Sequence, residues 1–111
     1  MSKFSNVTKN KYTFKIIWGR SYIGLAVDKR LNKDIMIPLT TFFFWPRENG
    51  WELLKMELSN KPWITKEDRI EILNGYTLII NYWLSNVQEV EGITKLVQDS
   101  SIYNFELLAN F

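Results

Sequence analysis

Between Phe42 and Trp51 the chain reads FFFWPRENGW, and the spacing of apolar residues differs on its two sides. Before this stretch they recur at every second position, the period of a strand; after it they recur at about 3.6, the period of a helix. The junction carries four consecutive aromatics, each able to bury roughly 150–250 Å², so it needs a partner surface. Pro46 blocks a helix from continuing backwards, and its fixed φ suits a first helical turn. Asn49, followed three residues later by Glu52, has the form of a capping box. The junction therefore passes the chain from an aromatic segment to a helix.

In Lys11–Trp18, Tyr12, Phe14, Ile16 and Trp18 fall on one face, with Thr13, Lys15 and Ile17 on the other. Gly19-Arg20-Ser21 supplies a turn. Tyr22–Asp28 alternates again, with Ile23, Leu25 and Val27 together and Gly24 and Ala26 opposite. Two such runs around a short glycine-containing turn predict an antiparallel hairpin. Lys29–Asp34 reads as a polar loop with three cations. Ile35–Leu39 is interrupted by Pro38 and suits an edge or a bend. Thr40–Trp45 fits a third strand or a tight apolar turn, and its β-branched and aromatic content favours the strand.

Beyond the junction, Trp51, Leu54 and Leu58 line one stripe of a helix over Asn49–Ser59, with Leu53 beside it. Asn60-Lys61-Pro62 ends it. Thr65 caps a longer helix over Lys66–Ser85, with Glu67 and Asp68 in its first turn. Ile70, Leu73, Thr77 and Ile80 form one stripe of that helix, and Ile72, Tyr76, Ile79 and Trp83 a second. The expected fold class is α+β, an N-terminal β-hairpin packed on an α-hairpin. The expected organisation is a flexible extension over 1–10, one domain over 11–87, and an apolar tail over 88–111 that packs on the domain or on a partner. Within that tail, Ile93, Leu96 and Val97 hint at a short helix.

At 111 residues there is room for one domain with a sizeable core. The chain has no Cys and no His, which removes disulfides, thiolates, the commonest metal ligands and the usual general base. Glu67, Asp68 and Glu71 are the one acidic cluster to weigh as a catalytic or metal site, and helix capping accounts for it. No catalytic, cofactor-binding or metal-binding residue is assigned, and an enzyme is not expected. The formal net charge of +2 hides a division. Residues 1–33 hold eight basic side chains against Asp28 alone, a net of +7, and the remaining 78 residues are net −5. This asymmetry points to a polyanion near the N-terminal half. Lys11, Lys15, Arg20, Lys29, Arg30, Lys33 and Arg47 are the candidate contacts to nucleic acid, since cations neutralise phosphates. Tyr12, Tyr22 or Phe14 could stack on unpaired bases, although Phe14 suits the core. No apolar run approaches the ~20 residues of a membrane span, and the first ten residues lack the apolar segment of a secretory signal.

Three stretches, SYIGLAVD (Ser21–Asp28), LTTFFFWPRENGWELLKMELSNKPWI (Leu39–Ile64) and DRIEILNGYTLIINYW (Asp68–Trp83), together resemble the plastid-specific ribosomal protein 3 family. Its members belong to the small subunit of chloroplast ribosomes and have cyanobacterial relatives. The resemblance spans roughly Tyr12–Leu84. It implies a non-enzymatic ribosomal component that contacts small-subunit rRNA and neighbouring proteins, with no small-molecule substrate, cofactor or membrane. It implies the plastid stroma, or the cytoplasm of a cyanobacterium. The excess of lysine over arginine and the absence of a transit-like presequence suit a plastid-encoded algal member. The competing expectation is a free-standing interaction or regulatory module that docks through the aromatic junction and the apolar tail.

Overall fold

The computed structural model describes residues 11–85 and 103–110. The expected N-terminal extension and the short helix near residue 93 lie outside them. The elements in chain order are β1 (Tyr12–Trp18), β2 (Ile23–Asn32), β3 (Ile35–Pro38), β4 (Phe43–Trp45), α1 (Gly50–Ser59), α2 (Lys66–Ser85) and β5 (Tyr103–Asn110). They build a mixed sheet with two helices, an α+β fold. β1 and β2 form the expected antiparallel hairpin, with Trp18 opposite Ile23, Ile16 opposite Leu25 and Phe14 opposite Val27. That register puts the apolar residues Trp18, Ile16 and Phe14 beside Ile23, Leu25 and Val27 on the core face, while Tyr12 lies opposite Lys29 at the strand end.

β2 runs further than its alternation predicts. The cationic segment expected as a loop is the last part of β2 and a two-residue turn, after which β3 returns antiparallel. Asn32 makes this turn possible, because its side-chain oxygen accepts from the backbone N–H groups of Asp34 (2.8 Å) and Ile35 (3.1 Å). β3 and β4 lie in succession along the same edge of β2. Pro38, which has no N–H, ends β3. Across the gap Leu39 and Thr40 donate their N–H groups to the Val27 carbonyl (2.8 and 3.2 Å). The Val27 N–H is met by the Thr40 hydroxyl at 3.1 Å. A side chain thus replaces the backbone acceptor that an unbroken strand would supply.

On the other edge of β1, β5 adds in parallel, with a register shift between Ile16 and Ile17. Phe105 packs against the core, while Leu107 and Leu108 stay exposed. β1 is therefore central in the sheet.

The four aromatics of the junction divide by strand alternation. Phe43 and Trp45 pack against the core, whereas Phe42 and Phe44 stack against each other at 6.1 Å. The Trp45–Pro46 peptide is cis. Pro46 does not open the helix as expected. It lies in a turn that closes when the Glu48 N–H donates to the Phe44 carbonyl (2.9 Å) and the Glu48 carboxylate accepts from the Phe44 N–H (2.7 Å). The helix begins at Gly50, capped by Asn49, whose side chain accepts from the Glu52 N–H. Gly50 is needed here because a Cβ would collide with the Tyr76 hydroxyl of α2.

Leu54 and Leu58 of α1 enter the core, but Trp51, expected at the centre of the stripe, is only partly buried. Thr65 caps α2, its hydroxyl accepting from the Asp68 N–H at 3.1 Å. Of the two stripes on α2, the one through Ile72, Tyr76, Ile79 and Trp83 is buried. The other is split along the helix: Ile80 is buried and Leu73 packs against the core, while Ile70 is 49% exposed. Trp83 ties the helix to the sheet by donating its indole N–H to the Gly19 carbonyl at 2.8 Å.

Candidate nucleic-acid interface

The structure distributes the seven candidate cations over three places. Lys11, Lys29, Arg30 and Lys33 lie at the end of the sheet where β1 begins and β2 turns into β3, Tyr12 being in register with Lys29. Arg20 sits in the β1–β2 turn at the opposite end, on the order of 20 Å away along a seven-residue strand. Arg47 joins that end, because Ile23 of β2 pairs with Trp45 of β4. Lys15 is in the middle of β1, on the face turned away from the core.

Two of these cations are engaged inside the fold. Lys11 lies 3.0 Å from the Asp68 carboxylate, which also accepts from the Tyr12 hydroxyl at 2.9 Å. Burial, with that carboxylate beside it, pushes the Tyr12 phenol well above its ordinary range. Asp68 is thus the tie between the start of α2 and the start of β1. This gives one member of the acidic cluster a structural role, and Glu67 and Glu71 are exposed. Lys15 pairs with Asp28 at 3.2 Å and lies over the Phe42 ring at 5.9 Å. Arg30 donates to the Lys33 carbonyl across the β2–β3 turn (3.2 Å), which holds these two cations in one rigid hairpin tip with Lys29.

At the other end, Tyr22, Phe44 and Arg47 line an open cleft of about 310 Å³. Tyr22 and Phe44 meet edge to face at 5.7 Å. Phe44 lies over Gly24, where a Cβ would approach its ring to 2.6 Å. Of the three aromatics considered for stacking, Tyr12 and Phe14 are core residues and Tyr22 is 39% exposed.

Sequence reasoning missed one cationic grouping. Although the helical half is acidic overall, Lys55, Lys66 and Arg69 line a cleft of about 270 Å³ between α1 and α2, with Ile70 and Leu73 among its other walls. The signal was present in the i, i+3, i+4 spacing of Lys66, Arg69 and Ile70, which places them on one helical face. Counting charge by halves of the chain hides it. Among the described residues no group of three or more acidic side chains could hold a metal ion, and no helix is long and apolar enough to cross a membrane.

Residues 39–86, from just before the junction to the end of α2, match the family model described as plastid and cyanobacterial ribosomal protein (PSRP-3 / Ycf65). The chain is 46% identical over 87 residues to the small ribosomal subunit protein cS23 of Gracilaria tenuistipitata var. liui, an alignment covering 78% of this chain and 83% of that protein. It is 46% identical over 79 residues to the probable small ribosomal subunit protein cS23 of Synechococcus sp. (strain JA-3-3Ab), covering 71% and 79%. With the small ribosomal subunit protein cS23z of Arabidopsis thaliana it shares 43% identity over 75 residues, 68% of this chain and 45% of that longer protein. The junction, the α-hairpin and the extent of these alignments agree: the chain belongs to the plastid and cyanobacterial ribosomal protein family PSRP-3 / Ycf65.

Proposed function

We propose that this protein is a structural, non-enzymatic component of the small subunit of a plastid or cyanobacterial-type ribosome, and that it contacts rRNA through the basic side chains of its β-half. The observation that carries the proposal is the 46% identity over most of both chains to a protein named as a small ribosomal subunit component. Its place of work is then the plastid stroma, with the gene in the plastid genome, or a cyanobacterial cytoplasm.

Within the β-half, Lys29, Arg30 and Lys33 are best suited to phosphate. They share one hairpin tip, and its geometry is fixed by the Asn32 turn. Lys11 and Lys15 have carboxylates within salt-bridge distance, so their contribution to a polyanion is smaller. Arg20 and Arg47 form a separate group at the far end. Met56, Trp63, Ile70 and Leu84 are exposed singly on the helical side, and it is to this side that we assign contact with neighbouring subunit proteins. The test is a variant with Lys29, Arg30 and Lys33 changed to Glu, checked for native folding by circular dichroism. Its affinity for small-subunit particles should fall sharply. The salt dependence should flatten by about one unit of slope for each phosphate the variant no longer neutralises. Wild-type affinity and slope would remove the hairpin tip from the RNA interface.

A further inference from the structure

The cleft at the β1–β2 turn has a composition that phosphate binding alone does not require. Two aromatic rings, Tyr22 and Phe44, meet at 5.7 Å in an edge-to-face pair on the outer side of the sheet. Phe42 extends this surface from the Phe44 side. The rings are held in place from beneath. Phe44 sits on Gly24, a position where any side chain would displace it. The Tyr22 carbonyl is fixed by the Gly19 N–H at 2.9 Å. Arg47 lines the same cleft, and Arg20 lies two residues before Tyr22 in the same turn. Of the acidic groups near this face, Asp28 is paired with Lys15, the Glu48 carboxylate next to Arg47 accepts from the Phe44 N–H at 2.7 Å, and Glu106 of β5 is in register with Lys15, across β1 from the cleft.

We propose that this cleft binds a single unpaired RNA nucleotide, its base stacked on Tyr22 and Phe44 and its phosphate met by Arg47 and Arg20. The volume of about 310 Å³ is at the small end of the ~300–1,000 Å³ range of ligand sites, suited to one ring system and too narrow for a duplex. Aromatic stacking is tolerant of base identity, while arginine supplies both charge and a planar surface. The assignment rests on the reading that this protein contacts RNA, and it adds a site about one strand length away from the Lys29–Lys33 hairpin tip. The two sites divide the work: the hairpin tip holds phosphates of either single or paired strands, and the cleft selects a splayed nucleotide.

The experiment measures affinity of the full chain for a short unstructured RNA oligonucleotide and for the same oligonucleotide annealed to its complement. Tyr22→Leu removes the ring from an exposed position, Tyr22→Phe keeps it, and the Lys29, Arg30, Lys33→Glu variant probes the other site. The wild type should prefer the single strand. Tyr22→Leu should weaken that binding by about 5- to 150-fold, the cost of one base stack, and leave duplex binding unchanged, while Tyr22→Phe retains both. The hairpin variant should weaken binding to both RNAs alike. Unchanged single-strand affinity in Tyr22→Leu, or equal affinity of the wild type for the two RNAs, overturns the cleft and leaves the hairpin tip standing. If the wild type binds neither RNA, both readings fall. If Tyr22→Leu keeps its RNA affinity but no longer joins small-subunit particles, the cleft faces a protein neighbour and the nucleotide assignment is wrong.

Discussion

Asp68 carries more of the structure than its place in a run of surface carboxylates suggests. One of its oxygens takes the Tyr12 hydroxyl and the Lys11 ammonium, while its N–H completes the Thr65 cap. Asp68→Ala leaves a buried hydroxyl without its acceptor and frees the helix start from β1. It should cost about 2–4 kcal/mol in urea denaturation, the lower part being more apt because Lys11 is one-third exposed. A loss below about 1 kcal/mol would mean that the tie is not important. Tyr76 presents the converse case. Its hydroxyl is buried with no hydrogen-bond partner among the described residues, and burial, with the Glu48 charge adding to it, pushes its pKa up to about 12. The unfolded chain releases this proton near pH 10, so the associated stability is complete below pH 10 and is lost as pH rises toward about 12. Tyr76→Phe should therefore be as stable as the wild type, or more so, at neutral pH, with a shallower alkaline loss that retains only the Tyr12 part. A steep, unaltered loss would assign the effect elsewhere. Neither role is legible in sequence, because both depend on which residue of another element lies within 3–4 Å.

The hairpin of β1 and β2 and the two helices follow from apolar period alone, since one alternating face and one buried stripe per helix are enough to define them. Three features needed information that periodicity does not carry. The β2–β3 turn looked like a loop because its residues are charged, yet Asn32 supplies the backbone hydrogen bonds and the cations only decorate it. The strand favoured for Thr40–Trp45 is present over Phe43–Trp45, but which of its rings face the core is set by the pairing with β2, which sends Phe43 and Trp45 inward and Phe42 and Phe44 outward. The parallel pairing of β5 with β1 is a long-range choice that no local pattern announces. Gly24 was legible only as an outward position; the structure shows that it seats Phe44. Gly24→Ala should displace that ring and cost roughly 1–3 kcal/mol as an overpacking change. It should also reduce single-stranded RNA affinity in step with Tyr22→Leu. A variant that is stable and binds RNA normally would show that the ring position has no consequence. Removing β5 by truncation after residue 102 exposes a full edge of β1, and the expected results are a lower midpoint in denaturant and a tendency to self-associate. An unchanged, monomeric product would make β5 dispensable.

At the scale of the molecule, cations gather at both ends of the sheet and also, as Lys55, Lys66 and Arg69, on the helices. Exposed apolar side chains accompany them on both sides: Leu31 and Ile35 at the hairpin tip, Leu107 and Leu108 on β5, and Met56, Trp63, Ile70 and Leu84 on the helical side. The sequence division into a basic and an acidic half captured the first part. It concealed the Lys55–Lys66–Arg69 cleft, because folding gathers on one surface what averaging along the chain cancels. The most direct measurement of the central claim is sucrose-gradient sedimentation of a native lysate from the source plastids or cells, with the protein followed before and after a high-salt wash. An integral component comigrates with the small-subunit peak in both gradients. A protein found at the top of the gradient before the wash, or migrating with no ribosomal particle, would contradict the account.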